Sequence, residues 1–291
     1  MLRWRIILGT ALISTLVGLG WLDWYVAETH GMAGTVMLPV ILLLAALASG
    51  EVLWLLEGRQ LRPLAWVVYG GNLLIVGSNA VAIYWKDYPV DCPVGKLGWP
   101  LLALAVGVLM AFVGEMRRYE KPGGVIVNVA LSVFSMCYVG LLLSFVIHLR
   151  LVGGMTALAA MLVAVKMCDT GAYATGRLIG RHKMAPVLSP GKTIEGAIGG
   201  VVFACASTCG LLYWLGLNPI WPNWGKWIVF AAVMAVVGIL GDLSESLFKR
   251  DMGRKDSSAY LPGFGGFLDL LDSILIAAPV AYLLWVALMM W

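Results

Sequence analysis

The sequence predicts an all-α integral membrane protein, a polytopic bundle of about nine transmembrane helices. Of its 291 residues, 61% are hydrophobic and only 12% are charged, whereas ordinary globular domains carry about 25% charged residues. The apolar residues fall into nine runs, each close to the ~20 residues that a helix needs to cross a bilayer. A sizeable soluble domain is excluded, because no polar stretch is long enough to form one.

The nine apolar runs alternate with short polar loops, and each is predicted to be one span. The first run follows Arg3 and Arg5 and ends in bulky residues from Trp21 to Trp24. We therefore expect an uncleaved first span and not a signal peptide. Tryptophans near many of the run ends are typical of the membrane–water interface. The predicted spans are residues 5–22, 35–56, 63–85, 98–114, 124–148, 153–175, 195–216, 226–247 and 268–289.

The distribution of Lys and Arg between the loops predicts the orientation of the chain. If the N-terminus is cytoplasmic, 15 of the 20 Lys and Arg residues lie on the cytoplasmic side, four lie outside, and Lys166 lies within a span. Such an excess of positive charge marks the cytoplasmic loops of membrane proteins. We expect a multi-pass protein of the plasma (cell inner) membrane, with its N-terminus in the cytoplasm and its C-terminus outside.

The polar residues collect in the second half of the chain. Residues 1–150 carry apolar helices with ordinary loops, and we interpret them as about five spans that form a scaffold and dimer region. Residues 151–291 carry nearly every polar cluster, and we interpret them as a catalytic region of about four spans. Glu51 and Glu57 are interpreted as boundary charges. Because ionisable side chains are costly at a membrane, the polar clusters are the candidate functional site.

The first polar cluster is KMCDTGAYATGRLIGRHK, residues 166–183. Lys166, Asp169, Tyr173 and Arg177 follow one another at spacings of three and four, which predicts one face of a helix. In one interpretation these side chains line a binding site that the intervening glycines allow a ligand to approach. In the other, Lys166 and Asp169 only neutralise each other within the bundle.

The second polar cluster is SPGKTIEGAIGG. GKT is similar to a phosphate-binding loop, but that motif requires a glycine where Pro186 stands, so this interpretation is excluded. A helix start remains, with Ser189 as the N-cap and the following proline at the first helical position. Free N–H groups beside Lys192 attract phosphate at such a start. Gly196 and Gly200 predict close packing of this helix.

The third polar cluster spans residues 241–273, GDLSESLFKRDMGRKDSSAYLPGFGGFLDLLDS. Asp242 and Glu245 stand three apart at the end of the eighth span, and Asp269 and Asp272 stand three apart at the start of the ninth. Two such helix ends suit a divalent ion in an oxygen shell. Carboxylates beside Lys and Arg also suit a metal-bound polyphosphate. The alternative is that local Lys and Arg side chains merely neutralise these acids.

Taken together, the three clusters resemble the phosphatidate cytidylyltransferases, or CDP-diacylglycerol synthases. The family pattern reads approximately S-x-x-K-R-x-x-x-x-K-D, then P-G-H-G-G-x-x-D-R-x-D, with D-T-G-A-Y and S-P-K-K-T-x-E-G upstream. Similarity of motifs covers about residues 165–275. The upstream elements correspond to Asp169 to Tyr173 and Ser189 to Gly196. The matching positions downstream are Ser246, Lys249, Arg250, Lys255, Asp256, Pro262, Gly263, Gly265, Gly266, Asp269 and Asp272.

The chain departs from the family pattern at three positions. Phe264 stands in place of the histidine, Leu270 in place of the arginine, and Gly191 in place of the first lysine of S-P-K-K-T. Cationic or proton-handling groups are therefore missing, and we hypothesise that Lys166, one turn before Asp169, restores one charge. An ionised phosphate monoester needs little help from a base, so the loss of the histidine is compatible with the reaction.

The resemblance implies that a phosphate oxygen of phosphatidate attacks the α-phosphorus of CTP, which releases diphosphate and leaves CDP-diacylglycerol. For this chemistry we assign Asp242 and Asp269 as principal metal ligands, with Glu245 and Asp272 as further ligands or as residues that contact the ligands, for one or two cations that include Mg²⁺. The implied catalytic residues are Lys249, Arg250, Lys255 and Asp256. The implied substrate-binding residues are Ser189, Lys192, Thr193, Asp169, Tyr173 and Ser246.

The expected partners are CTP, phosphatidate in the inner leaflet, and membrane lipid, with a homodimer through the first spans and no nucleic acid. Two other functions stay open. One is a CTP-dependent kinase that phosphorylates a polyprenol or a similar lipid alcohol. The other is a non-catalytic paralogue or transporter of the same fold, although the internal repeats usual in transporters are not apparent.

Overall fold

The structure is a computed structural model that describes residues 2–89, 91–216, 223–258 and 265–289. Within these ranges eight helices are long and apolar enough to cross a membrane, which confirms the predicted all-α membrane class. The fifth covers Val125–Ile179, and its 55 residues would measure about 80 Å as one straight helix. Its backbone leaves the helical region at Gly154, with φ 69° and ψ −167°. The number of spans and the orientation stay predictions.

A two-stranded hairpin lies between α7 and α8. Two π-helical turns, Met136–Leu141 and Trp285–Met289, follow α6 and α10. The elements are α1 (Leu2–His30), α2 (Met37–Glu57), α3 (Ala65–Gly77), α4 (Ala80–Tyr84), α5 (Gly95–Arg117), α6 (Val125–Ser135), α7 (Leu142–Ile179), β1 (Lys183–Ala185), β2 (Ser189–Thr193), α8 (Ile194–Trp214), α9 (Asn223–Asp251) and α10 (Phe267–Leu284).

The chain divides into two compact units. The first comprises Met1–Leu151 and Met252–Asp269, and the second comprises Val152–Asp251 and Leu270–Trp291. The turn that precedes α10 and the first residues of that helix therefore belong with the N-terminal helices, although the sequence division assigned them to region 151–291. The division of function between a scaffold and a catalytic region stays a prediction.

The core of the first unit forms where α3 packs against α2 and α5. Asn72 of α3 is fully buried there, and its amide donates a hydrogen bond to Ser49 Oγ of α2 at 2.8 Å. Its Oδ1 accepts a hydrogen bond at 2.8 Å from the amide of Gly140 in the first π-helical turn. The polar side chain is thus satisfied on both sides, as buried polar groups generally are. The surrounding apolar core includes Val67, Ile75, Ala103, Ala111, Val129 and Met136.

In the second unit, small residues allow α8 to pack closely against the later part of α7. A Cβ atom at Gly200 would lie 2.8 Å from the carbonyl oxygen of Cys168, and one at Gly196 would lie 2.8 Å from that of Ala172. Both distances are shorter than side chains tolerate, so the backbones approach as closely as glycine permits. The packing role predicted from the spacing of the two glycines is confirmed.

We expect Gly200→Leu to lower the stability of the second unit, because the added side chain would force α7 and α8 apart. Overpacking of this kind costs about 1–3 kcal/mol. Gly210→Leu on the same helix is the matched control, since a Cβ atom there meets nothing within 4 Å. Thermal unfolding of the two purified variants in detergent gives the comparison, and equal midpoints would contradict the close packing.

The segment Ser189–Thr193 is a strand, so the prediction of Ser189 as a helix N-cap was wrong. It pairs antiparallel with Lys183–Ala185, and this cross-strand pairing holds the backbone extended. The cap of α8 is Thr193, whose side-chain oxygen accepts a hydrogen bond from the amide of Gly196 at 3.1 Å. The threonine that directly precedes the first turn therefore satisfies the free N–H group.

Candidate active site

Five charged side chains of the second unit form a group that we call the carboxylate–lysine cluster. Its acids come from three helices, and its bases come from α7 and β2. The carboxyl of Asp272 interacts electrostatically with Lys166 and Asp242, and the carboxyl of Asp169 interacts with the same two residues and with Lys192. The fold thus brings together residues from all three polar clusters. The members are Lys166, Asp169, Lys192, Asp242 and Asp272.

Close packing of α9 against α10 brings Asp242 near Asp272. A Cβ atom at Gly241 would lie 2.9 Å from the carbonyl oxygen of Asp272 and 2.9 Å from the Cα atom of Ser273. Only glycine fits at this crossing; Asp242 directly follows it in sequence, and Asp272 supplies the backbone oxygen that it faces. The third polar cluster therefore contains both acids and Gly241, the residue that allows α9 and α10 to approach each other.

Asp242 is the acid of the cluster with the best-defined partners. Lys192 Nζ lies 2.7 Å from Asp242 Oδ2, and Ser246 Oγ donates a hydrogen bond to Asp242 Oδ1 at 3.4 Å. The side chains of Lys192 and Asp242 are 22% and 32% exposed. The ion pair is therefore accessible to a ligand, and Ser246, predicted to bind substrate, contacts the acid directly.

The predicted polar face of α7 is present. Lys166 Nζ lies 3.6 Å from Asp169 Oδ2, and Arg177 Nη1 donates a hydrogen bond to the hydroxyl of Tyr173 at 3.0 Å. Lys166 Nζ also donates to the carbonyl oxygen of Leu270 at 3.5 Å. Leu270 replaces the family's arginine, so a lysine from another helix reaches the backbone at that position. This contact agrees with the hypothesis that Lys166 restores a positive charge.

The remaining acid of the cluster, Asp272, is held by its own neighbour. It is buried, and Ser273 donates to its Oδ1 through the backbone amide and, at 2.9 Å, through the hydroxyl. These bonds fix the orientation of the carboxylate. Since Lys166 and Asp242 are its electrostatic neighbours, Asp272 lies within the carboxylate–lysine cluster, and its role as a metal ligand stays a prediction.

Two further predicted residues of α9 bind each other. Lys249 Nζ lies 2.6 Å from Glu245 Oε2, and their side chains are only 11% and 1% exposed. They lie along the same helix as Asp242, one to two turns further on. Arg250 Nε donates to the carbonyl oxygen of Leu188 at 3.5 Å, which ties the end of α9 to the hairpin. In this arrangement Glu245 and Lys249 form a buried ion pair.

Asp269 belongs to the first unit, where its carboxylate is held by the turn that precedes α10. Its Oδ2 accepts hydrogen bonds from Ser257 Oγ at 2.6 Å, from Ser257 N at 3.1 Å and from Gly266 N at 2.7 Å. Lys255 and Asp256 are exposed in the same turn. The predicted motif positions Pro262, Gly263 and Phe264 lie outside the described residues.

Sequence reasoning missed two acids that organise these segments. Glu195 accepts hydrogen bonds from the amide of Arg181 at 3.0 Å and pairs with His182 Nδ1 at 2.5 Å, so it holds the entry to the hairpin. Its place in S-P-x-K-T-x-E-G was an available signal. Glu51, interpreted as a boundary charge, is fully buried and binds residues more than 200 positions later. No local pattern could have identified those partners.

The donors of the carboxylate–lysine cluster fit a hard divalent cation, because carboxylate oxygens are the ligands that such ions prefer. Among the described residues, no three Asp, Glu, His or Cys side chains converge as a ready-made metal site. Mg²⁺ is commonly bound through one or two carboxylates together with substrate phosphates, and its binding by this cluster stays a prediction.

Several membrane-spanning helices and a group of acids and lysines suited to polyphosphate define a polytopic membrane enzyme of phosphate chemistry. The family model described as "Cytidylyltransferase family" matches residues 5–288. The chain belongs to this family and is a nucleotidyltransferase, which confirms the resemblance drawn from the motifs.

Three relatives from staphylococci carry the name phosphatidate cytidylyltransferase. The one from Staphylococcus aureus (strain COL) is 37% identical over 184 residues, which is 63% of this chain and 67% of that protein. The one from Staphylococcus haemolyticus (strain JCSC1435) is 39% identical over 184 residues, with the same two coverages. The one from Staphylococcus saprophyticus is 37% identical over 185 residues, again 63% and 67%.

Proposed function

We propose that the protein transfers the cytidylyl group of CTP to phosphatidate and so makes CDP-diacylglycerol for phospholipid biosynthesis. The observation that carries the proposal is the carboxylate–lysine cluster, in which acids and bases from the three polar clusters lie near one another on helices and a strand of the second unit. The relatives named for this reaction support the same substrates. CTP and phosphatidate are the proposed partners.

The reaction forms one phosphorus–oxygen bond and breaks another. A phosphate oxygen of phosphatidate attacks the α-phosphorus of CTP, and the bond from that phosphorus to the oxygen bridging to the β-phosphorus breaks. Diphosphate leaves with the bridging oxygen. Because the nucleophile is already ionised, the protein mainly has to position the two substrates and neutralise negative charge. Bound Mg²⁺ would neutralise charge on the triphosphate.

The proposed roles follow from the contacts of each residue. Asp242 and Asp272 hold the metal–nucleotide complex, with Asp169 beside them. Lys192 neutralises Asp242 at 2.7 Å, and together with Lys166 it is proposed to bind phosphate oxygens once CTP is present.

The other roles come from the family resemblance. Asp269 is proposed as a further metal ligand. For Glu245 and Lys249 the contacts favour another role than the resemblance implies, and we propose that they support α9 as an ion pair. The remaining residues are proposed to contact the phosphates or the walls of the site: Arg250, Lys255, Asp256, Ser189, Thr193, Tyr173 and Ser246.

The membrane supplies the second substrate in this proposal. An apolar hollow of about 390 Å³ in the second unit is lined by Met167, Val202, Phe203, Ala206 and Ser207. Met167 directly follows Lys166 of the cluster, so an acyl chain in the hollow would keep its phosphate close to the charged residues. We propose that phosphatidate enters from the inner leaflet of the cell membrane, that the site faces the cytoplasm, and that the protein forms a homodimer.

Position-specific labelling of CTP tests the proposal. Purified protein is incubated with Mg²⁺, phosphatidate and CTP labelled at the α- or the γ-phosphorus. We expect label in the lipid from α-labelled CTP only, with the γ-label recovered in diphosphate. Label in the lipid from the γ-position would indicate a lipid kinase. Protein that transfers neither label and binds no CTP would be a non-catalytic paralogue or a transporter.

A further inference from the structure

Glu51 of α2 binds two segments, residues 257–258 and 267–268, that flank the family's P-G-x-G-G positions in the sequence. Its side chain is fully buried. Its Oε1 accepts hydrogen bonds from Ser258 Oγ at 2.6 Å and from Phe267 N at 2.9 Å. Its Oε2 accepts from Leu268 N at 2.7 Å and from Ser257 Oγ at 3.2 Å. One carboxylate therefore receives four hydrogen bonds from two segments.

Two of these bonds cap the start of α10. Phe267 and Leu268 are the first two residues of that helix, and their N–H groups have no acceptor within it. A carboxylate at a helix N-terminus satisfies such donors and interacts favourably with the helix dipole. Glu51 thus provides, from a helix near the beginning of the chain, the cap that α10 requires.

One of the other two bonds, that from Ser257, connects Glu51 to Asp269. The hydroxyl of Ser257 lies between the two carboxylates, 2.6 Å from Asp269 Oδ2 and 3.2 Å from Glu51 Oε2. Gly266 completes the arrangement, because its amide donates to Asp269 Oδ2 at 2.7 Å. A Cβ atom at Gly266 would collide with Ser257 Oγ and with both oxygens of Glu51. The last glycine of the family motif therefore leaves the space that the Glu51 carboxylate and the Ser257 hydroxyl occupy.

We infer that Glu51 is a positioning residue for cytidylyl transfer. It holds the turn and the first residues of α10 so that the Asp269 carboxylate keeps one orientation. The inference rests on the proposed function, in which Asp269 is a ligand of the metal–nucleotide complex. In this role the N-terminal helices contribute to the reaction through Glu51. The sequence alone predicts only a scaffold function for these helices and a boundary charge for Glu51.

Glu51→Gln tests the inference, because glutamine keeps the size of the side chain but places an N–H donor against groups that donate. We expect a fall of about 10-fold or more in kcat/KM, the usual effect of losing a partner that orients a metal ligand. The Mg²⁺ concentration for half-maximal rate should rise, while KM for phosphatidate stays the same. Glu57→Gln, an exposed acid on the same helix, is the control and should match the wild type.

A second measurement reports on the cap without substrate or metal. Hydrogen–deuterium exchange of the amides of Phe267 and Leu268 should be faster in Glu51→Gln than in the wild type, whereas peptides from α8 should not change. If Glu51→Gln does not fold, Ser257→Ala replaces it, since this change removes only the hydroxyl between the two carboxylates. Ser257→Ala is expected to raise the Mg²⁺ requirement in the same direction.

The outcomes separate this inference from the proposed function. Faster exchange together with unchanged turnover and unchanged Mg²⁺ dependence would overturn the positioning role and leave only a structural cap. Unchanged exchange of the Phe267 and Leu268 amides in Glu51→Gln would show that Glu51 does not cap α10. A wild-type protein that transfers no cytidylyl group would overturn the proposed function, and the positioning role with it, even if the exchange results were as expected.

Discussion

Asp242→Asn is expected to reduce cytidylyl transfer by about 100-fold or more while the protein stays folded. The substitution keeps the shape of the side chain but removes the negative charge that attracts a divalent cation and that neutralises Lys192 at 2.7 Å. Removing one preorganised charge-stabilising group from an active site commonly costs 10²–10³ in rate, about 3–4 kcal/mol. Initial rates with α-labelled CTP give the activity, and thermal unfolding in detergent verifies the fold.

The matched control is Asp251→Asn, an exposed acid at the end of the same helix, which should retain the wild-type rate. A double variant with Lys192→Gln sharpens the test, because residues that act as a unit show strongly non-additive effects. We expect Lys192→Gln to cost far less in the Asp242→Asn background than in the wild type. Asp242→Asn protein with the rate of its control would overturn the assignment of the carboxylate–lysine cluster as the site.

The parts of this site that could be predicted depend on short-range patterns. The spacing of Lys166 and Asp169 predicted their contact on one helix face, and the structure has it. The spacing of Gly196 and Gly200 likewise predicted a close helix crossing. Both predictions succeed because a helix converts spacings of three and four residues into neighbours. The same reasoning recovered the membrane class, since the length of an apolar run reflects the thickness of a bilayer.

Predictions failed where the partner is distant in sequence. The residues next to Ser189 predict a helix cap, yet pairing with Lys183–Ala185 makes Ser189 part of a strand. The position of Glu51 in the sequence predicts a charge at a span boundary, yet Glu51 binds Leu268, 217 residues later. Asp23 directly follows the first predicted span, yet its buried carboxylate binds Arg150, 127 residues later. An acid can be buried where donors from distant parts of the chain satisfy it. The residues next to it in the sequence do not indicate those donors.

Asp23→Ala is expected to have the largest effect on stability in the first unit. Asp23 is fully buried, and its Oδ2 lies 2.8 Å from Arg150 Nε. It also accepts hydrogen bonds from the amides of Gly34, Val36 and Met37 at 3.2, 3.0 and 3.3 Å, so it caps the start of α2. Removing it leaves a buried guanidinium without its carboxylate partner and three N–H groups without this acceptor. Losing one partner of a buried ion pair costs about 3–5 kcal/mol.

The order of three variants distinguishes this account from a general intolerance to substitution. Arg150→Met should cost less than Asp23→Ala, about 1–3 kcal/mol, because the three amides still bind the carboxylate. Glu28→Ala, an exposed acid on the same helix, should be neutral. A double variant, Asp23→Leu with Arg150→Met, should recover part of the loss because no buried charge remains unpaired. Unfolding in detergent gives the order, and an Arg150→Met protein less stable than Asp23→Ala would show that the cap on α2 contributes little.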